Sequence, residues 1–327
     1  MALQKYTFRI QRSIPVQGGG VQTKWQDFPV ESEPNVTVLT LLEEIKGQQD
    51  GTLVFRQSCR SAICGSCAMW ISGRTRLACK THVGAVAKNG VVEIAPQKNQ
   101  PVLKDLAIDI RPFFKRVHGI TPYLLDGPEQ NSTVTKSAYD QVNHVTQCIL
   151  CGACYSDCTM AEVSPAFVGP AALAKAFRFV SDPREGRKSQ RLADLCQPSA
   201  IWSCTRCTMC VDVCPKEVAP MEAIVKLRTR AMARGYTGSA GAKHALAFHE
   251  DIRRGGHLNE FTLMMRTLGI WETLKETGTA LHLAKKGKVP SPFPHTVAGV
   301  EELRRMYDHL EQFPIEVETK AKEAVPE

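Results

Sequence analysis

The spacing of the cysteines constrains this chain more than anything else in it. Twelve of the 13 fall into three groups. Cys59, Cys64, Cys67 and Cys79 form C-x4-C-x2-C…C. Cys148, Cys151, Cys154 and Cys158 form C-x2-C-x2-C-x3-C. Cys204, Cys207, Cys210 and Cys214 repeat that run and end in Pro215. The first spacing is the plant-type arrangement for a [2Fe–2S] centre, and the other two are the bacterial two-cluster arrangement. The chain must therefore shape itself around three redox centres.

Each spacing has a physical reason. Cys59 to Cys67 is one short loop, with Gly65 and Ser66 between its last two thiols. Gly permits the close approach that lets backbone N–H groups reach the sulfurs and offset thiolate charge. Cys79 arrives from a later segment and closes the site. In each later triplet, three ligands on one loop take three corners of a cubane, and the fourth Cys ligates the partner cluster. Cys214 is expected to join Cys148, Cys151 and Cys154. Cys158 is expected to join Cys204 and Cys210, with Cys207 as a further ligand.

Competing chemistries fit less well. Zinc ribbons use pairs of cysteines rather than triplets, and C-x4-C-x2-C is not a usual zinc spacing. A secreted disulfide framework is opposed by the tight triplets and by an N-terminus, MALQKYTFRIQR, that alternates like a strand and has no apolar core of a signal peptide. No run approaches the apolar length of a membrane span. The formal charge of +8 counts every cysteine as neutral. Three clusters with four thiolates each, at about −2 apiece, bring it to roughly +2, so nucleic acid is not an expected partner. Cys196 lies outside every spacing and reads as structural. The nine histidines form no ligand cluster, and Trp70, Phe177, Phe179 and Trp202 read as packing. There is no G-x-G-x-x-G before a helix, no P-loop and no nucleophile elbow. No residue is expected to be catalytic.

The expected fold is α+β in three parts. Residues 1–110 read as a β-rich [2Fe–2S] domain, 111–235 as an α-helical domain for two further clusters, and 236–327 as a helical extension. Strands are expected at Tyr6–Ile10, Leu53–Phe55, Ala68–Ile71 and Val91–Ile94, with a turn at Gln17–Gly20. Helices are expected at Val36–Ile45 (capped by Asn35), Leu103–Phe114, Pro170–Val180, Met221–Ala233, Gly241–Ile252, Phe261–Leu274 and Val300–Phe313. Five prolines in residues 96–130 suggest a linker there, and Pro290–Pro294 is a second proline-rich stretch.

The order of these parts resembles the iron–sulfur subunit of succinate dehydrogenases and fumarate reductases. The residues carrying the resemblance are SCRSAICGSCAM (58–69), RLAC (76–79), VLKDLAID (102–109), CILCGACYSDC (148–158) and the run Cys204–Pro215. The resemblance implies a β-grasp plant-type ferredoxin domain followed by a two-cluster ferredoxin domain. It also implies a flavoprotein partner, where succinate and fumarate interconvert at FAD, and a path through three clusters toward a quinone.

Two departures from common members stand out. Their third cluster is [3Fe–4S], because an apolar residue replaces the middle thiol of the last triplet. Here that position is Cys207, so a [4Fe–4S] cluster on Cys158, Cys204, Cys207 and Cys210 is expected, with [3Fe–4S] as the alternative. Common members also place a Trp shortly after the residue matching Cys158 and a His after that matching Cys204, beside the ubiquinone. Here Thr205 follows Cys204, and no Trp lies between Cys158 and Trp202.

The tail, with HLNEFTLMMRTLG (257–269), KKGKVPSPFPH (285–295) and VEELRRMYDHL (300–310), resembles the iron–sulfur C subunit of heterodisulfide reductases and the E-type succinate dehydrogenases. That implies a CCG-domain anchor subunit on another chain. It also implies a cytoplasmic position, peripheral on the inner face of the membrane through partners. A thiol- or heterodisulfide-linked fumarate reductase subunit and a free-standing polyferredoxin are the alternatives.

Overall fold

The computed structural model describes residues 2–15, 21–275, 277–288 and 296–312, and the chain divides into two units, Met1–Leu227 and Arg228–Glu327. The expected turn at Gln17–Gly20 and the stretch Pro290–Pro294 lie outside the described residues.

The first unit opens with a five-stranded sheet. Its strands are β1 (Gln4–Pro15), β2 (Val21–Ser32), β3 (Ala68–Ile71), β4 (Arg74–Leu77) and β5 (Val91–Ala95), in the order β2-β1-β5-β3-β4. β1 pairs antiparallel with β2, with Phe8 opposite Phe28, and parallel with β5, with Phe8 opposite Val92. A tight hairpin cannot join parallel strands. The intervening chain forms α1 (Val38–Glu44), a π-helical turn (Ile45–Gln49), the first cysteine loop and α2 (Val83–Val86). Alternate residues Tyr6, Phe8 and Ile10 face inward and meet Val38, Leu41, Leu42 and Ile45. A mixed sheet wrapped over one helix is the β-grasp arrangement.

Three local expectations change. Thr37, not Asn35, caps α1, its Oγ1 accepting from the Thr40 N–H at 3.2 Å. Leu53–Phe55 is not a strand. Leu53 is buried, but the Val54 N–H goes to Asp105 Oδ2 at 2.9 Å, and the Val54 carbonyl accepts from Leu106. The backbone groups find partners without a sheet neighbour. The helix expected at Leu103–Phe114 starts later, because β6 (Val102–Lys104) and β7 (Ala107–Ile108) pair first and α3 runs Arg111–Gly119. Asp105 at their bend has φ +49°, and its carboxylate also takes the Ser13 N–H (2.8 Å) and faces Arg12 Nε (3.1 Å).

The rest of this unit is helical: α4 (Lys136–Thr146), α5 (Ala153–Ser156), α6 (Thr159–Val163), α7 (Pro170–Val180), α8 (Lys188–Leu195), α9 (Met209–Asp212) and the start of α10 (Pro220–Ala233). Pro170 starts α7 at a position where a missing N–H costs nothing. Nine of its 11 residues are buried, which makes it the central helix. Cys196 caps the end of α8, consistent with a structural role.

The second unit contains α11 (Ala240–Gly255), α12 (Glu260–Leu268), α13 (Ile270–Lys275), α14 (Thr277–Lys285) and α15 (Val300–Gln312). The single helix expected at Phe261–Leu274 is broken at Gly269, whose φ of +86° ends α12. Buried Asp251 ties α11 to α12 by accepting from Thr262 Oγ1 at 2.7 Å, and Arg253 ties α11 to α15 through Asp308 at 2.6 Å. Among the described residues no helix is long and apolar enough to cross a membrane.

Candidate iron–sulfur sites

The first cysteine loop wraps around a sulfur. Arg60 (φ +55°), Ala62 (+55°) and Gly65 (+74°) take left-handed backbone conformations. Such alternation turns successive N–H groups inward and makes a nest for negative charge. Cys59 Sγ accepts from the N–H groups of Ser61 (3.4 Å), Ile63 (3.4 Å) and Cys64 (3.3 Å). Those donors, Cys64 foremost, pull the Cys59 thiol down to about 6. Cys67 is buried under the sheet, and desolvation pushes its thiol up to about 12. Cys79 and Cys64 are near enough to add to that rise. Cys64 is exposed, as is Ile63 beside it.

The second and third groups are interleaved. Cys148, Cys151 and Cys154 line one cavity together with Cys214 of the last run. Cys204, Cys207 and Cys210 line another with Cys158. Each triplet thus gives its last thiol to the other. The thiols surround a space rather than closing on a point. Among the described residues no three His, Cys, Asp or Glu side chains come together as a single metal ion requires. Zinc would draw its sulfurs to about 2.3 Å from one centre, whereas a cubane spreads them over four corners.

The two triplets repeat one backbone geometry. Leu150 (φ +53°) and Gly152 (+80°) flank Cys151; Arg206 (+58°) and Thr208 (+65°) flank Cys207. In both loops the first sulfur receives the N–H two residues on, from Leu150 to Cys148 and from Arg206 to Cys204 at 3.4 Å. Each loop then runs into a one-turn helix, α5 or α9, from a left-handed residue. A β-branched residue at positive φ is strained by about 1–2 kcal/mol, so Thr208 is held there by its surroundings. Burial pushes the thiols of Cys151 to about 11 and of Cys210 to about 12. Desolvation disfavours the free thiolates, and iron held by these sulfurs would supply the compensating charge.

The segment expected to be a linker includes a clamp on these loops, which sequence reasoning missed. Gln97 is buried and its Nε2 donates to the carbonyls of Ala68 and Cys151, both at 3.1 Å. Asn99 Nδ2 donates to the carbonyls of Tyr155, Ser156 and Cys158 at 3.0–3.1 Å. From the sheet, Thr75 gives its N–H (2.9 Å) and Oγ1 (2.6 Å) to the Asp157 carboxylate. The only sequence signal was the polar run QKNQ between Pro96 and Pro101, and such runs more often mark exposed loops.

Residues 7–115 match the 2Fe-2S iron-sulfur cluster binding domain family, and residues 144–218 match the 4Fe-4S dicluster domain family. The 8-methylmenaquinol:fumarate reductase iron-sulfur subunit of Wolinella succinogenes is 33% identical over 290 residues, covering 83% of this chain and 89% of that protein. The chain belongs to the family of succinate dehydrogenase and fumarate reductase iron–sulfur subunits. It is an electron-transfer subunit of that class of oxidoreductase, built for [2Fe–2S] and [4Fe–4S] clusters. The fumarate reductase iron-sulfur subunit of Haemophilus influenzae is 34% identical over 212 residues, covering 60% of this chain and 82% of that one. A chain of the Mycobacterium smegmatis Sdh1 complex in the apo form shares the fold, with a TM-score of 0.64 over 72% of this chain and 99% of that one, at 21% identity.

Proposed function

We propose that Cys59, Cys64, Cys67 and Cys79 hold the [2Fe–2S] cluster, and that Cys148, Cys151, Cys154 and Cys214 hold a [4Fe–4S] cluster. Cys158, Cys204, Cys207 and Cys210 hold a third cluster, also [4Fe–4S]. With clusters bound, the chain is a one-electron relay between FAD on a flavoprotein subunit and a quinone at a membrane-side subunit, serving succinate oxidation or fumarate reduction. The functional division is 1–110 for the first cluster, 111–235 for the other two and 236–327 as an extension for the anchor. The anchor is a CCG-domain protein, and the complex lies peripherally on the cytoplasmic face of the membrane.

The observation that carries this reading is the repeated backbone geometry around Cys151 and Cys207, with Cys207 lining the same cavity as Cys158, Cys204 and Cys210. A loop shaped like the one before it, with a thiol at the same position, offers a fourth corner ligand. Thr205 after Cys204 supports placing the quinone with the anchor, since it cannot replace the imidazole that common members have there.

The test is purification of the native complex with its subunits identified, its flavin and iron counted, and Mössbauer and EPR spectra recorded. Ten irons per chain and a flavin-bearing partner are expected. A [3Fe–4S] signal that survives anaerobic iron reconstitution rules out the third ligand set. Absence of a flavoprotein from the native complex favours a free-standing carrier instead.

A further inference from the structure

A basic pocket of about 270 Å³ opens where the sheet meets the end of the third cysteine run. Arg74 and Arg76 of β4, Lys80, His82, Asp212 and Cys214 line it. β4 is the edge strand of its sheet, and side chains two apart on a strand share a face. Arg74 and Arg76 therefore stand side by side. Lys80 follows directly on Cys79 of the first cysteine group.

The cations are not neutralised. Arg76 Nε is buried and has no hydrogen-bond partner. Among the described residues no carboxylate lies within ion-pair distance of Arg74, Arg76 or Lys80. Burial, with the neighbouring Arg74 charge adding to it, pushes the Arg76 guanidinium below its ordinary value. A desolvated cation beside a like charge, with a donor unmet, is costly unless something compensates it. Asp212 is the one carboxylate lining the pocket, against three permanent cations.

We propose that Arg74, Arg76 and Lys80 form a site for a small oxyanion, a phosphate or a carboxylate, between the first cysteine group and the end of the third. Guanidinium groups suit it because they grip such anions through two parallel N–H bonds. Cys214 lines the site, and Lys80 is the chain neighbour of Cys79. A bound anion adds negative charge next to the clusters those thiols hold and disfavours the extra electron, so it lowers their reduction potentials. Occupancy would thereby couple the concentration of a small anion to the driving force along the relay. This last consequence rests on the ligand assignments above; the binding itself does not.

The test uses the full chain with its clusters in place. Phosphate and succinate are titrated separately by calorimetry in a low-chloride buffer, which tells the two sources apart. Saturable binding of at least one is expected, weakened about tenfold or more in Arg74→Gln, the loss of one charge-assisted pair. Arg74 is exposed, so this variant keeps the fold. Arg76→Lys retains charge and should bind better than Arg76→Gln. An EPR-monitored redox titration should show the [2Fe–2S] potential moving down with the bound anion in the parent chain and staying put in Arg74→Gln. Absence of saturable binding for both anions overturns the proposal, as does binding that Arg74→Gln and Arg76→Gln leave unchanged.

Discussion

Gly65 lies directly against Cys151: a Cβ built on Gly65 would stand 2.7 Å from Cys151 Cβ and 2.9 Å from its Cα. One residue belongs to the first cysteine loop and the other to the second. The absence of a side chain lets the two loops touch through backbone, and so brings the first two ligand groups together. With the clusters proposed above in place, this contact would set how closely the first two approach each other.

Gly65→Ala combines a residue forced to φ +74° with a clash against backbone that cannot swing away. Left-handed strain costs about 1–2 kcal/mol and overpacking typically about 1–3 kcal/mol. The variant is expected to unfold at lower denaturant and to lose [2Fe–2S] and [4Fe–4S] EPR intensity together. Gly73→Ala, at φ +108° with nothing within 4 Å, is the control for strain alone and should keep both signals. Intact clusters in Gly65→Ala would mean the loops part without consequence.

The tie from Thr75 to Asp157 works on the same junction from the other side. Asp157→Ala leaves the Thr75 N–H and hydroxyl without their acceptor, although Ser156 Oγ remains 2.7 Å from Thr75 Oγ1. An unmet, largely buried donor costs about 1–3 kcal/mol. The expected result is a full complement of clusters with slower electron passage from the first to the second, measured by rapid-freeze EPR after reduction. A rate equal to that of the parent chain would leave Asp157 a purely local role.

Elsewhere in the first unit, stability rests on Arg191 and Glu185, whose side chains are 6% and 0% exposed and 2.8 Å apart. Arg191 also donates to the carbonyls of Ile120 and Thr121 at 3.0 and 2.8 Å, and to that of Tyr123. Glu185→Gln removes the counter-charge from a buried cation, which costs about 3–5 kcal/mol. A denaturant midpoint lower by that margin is expected, with the [2Fe–2S] spectrum unchanged below the transition.

How far the sequence led follows from which forces are local. Inward alternation at Tyr6, Phe8 and Ile10 and the Pro170 helix start are set within a few residues, and they read correctly. Val54 and Asp105 did not, because their pairing spans 51 positions and replaces a strand that the local pattern favoured. Gln97 and Asn99 were opaque for the same reason: their partners are carbonyls, which every residue has. The Arg74–Arg76 pocket needed three dimensions, since nothing in RTRLACK says that its cations lack carboxylates.

In the chain stripped of iron, pH should separate the first group's thiols. Cys59 is held at about 6, and Cys67 is pushed up to about 12 by burial. The folded pKa of Cys59 lies below the ordinary thiol value. Its contribution to the folded state is therefore present above the unfolded pKa of about 8.5 and is lost as pH falls through about 6. Iodoacetamide should alkylate Cys59 at pH 7 and progressively less below pH 6, while Cys67 stays unmodified across the neutral range. Mass spectrometry of the digested chain reads both, and equal labelling at pH 7 would mean that the loop loses its N–H nest without iron.

Cys207→Val isolates the residue on which the third cluster turns. Cys207 is exposed, and its Sγ meets Thr159 Oγ1 at 3.8 Å. Its loss therefore removes little packing, and in the iron-free chain the stability change should be within about 0.5 kcal/mol, as for surface substitutions in general. Cys158, Cys204 and Cys210 remain to hold three irons. The expected result is nine irons per chain in place of ten, and an oxidised [3Fe–4S] EPR signal that the parent lacks, with the [2Fe–2S] and first [4Fe–4S] signals unaltered. Cys151→Val, at the matching position, is the comparison: it should cost more stability, because Cys151 packs against Gly65 and its carbonyl is held by Gln97. If Cys207→Val changes neither iron content nor spectrum, the parent's third cluster is [3Fe–4S], and the repeated loop geometry around Cys207 holds no iron.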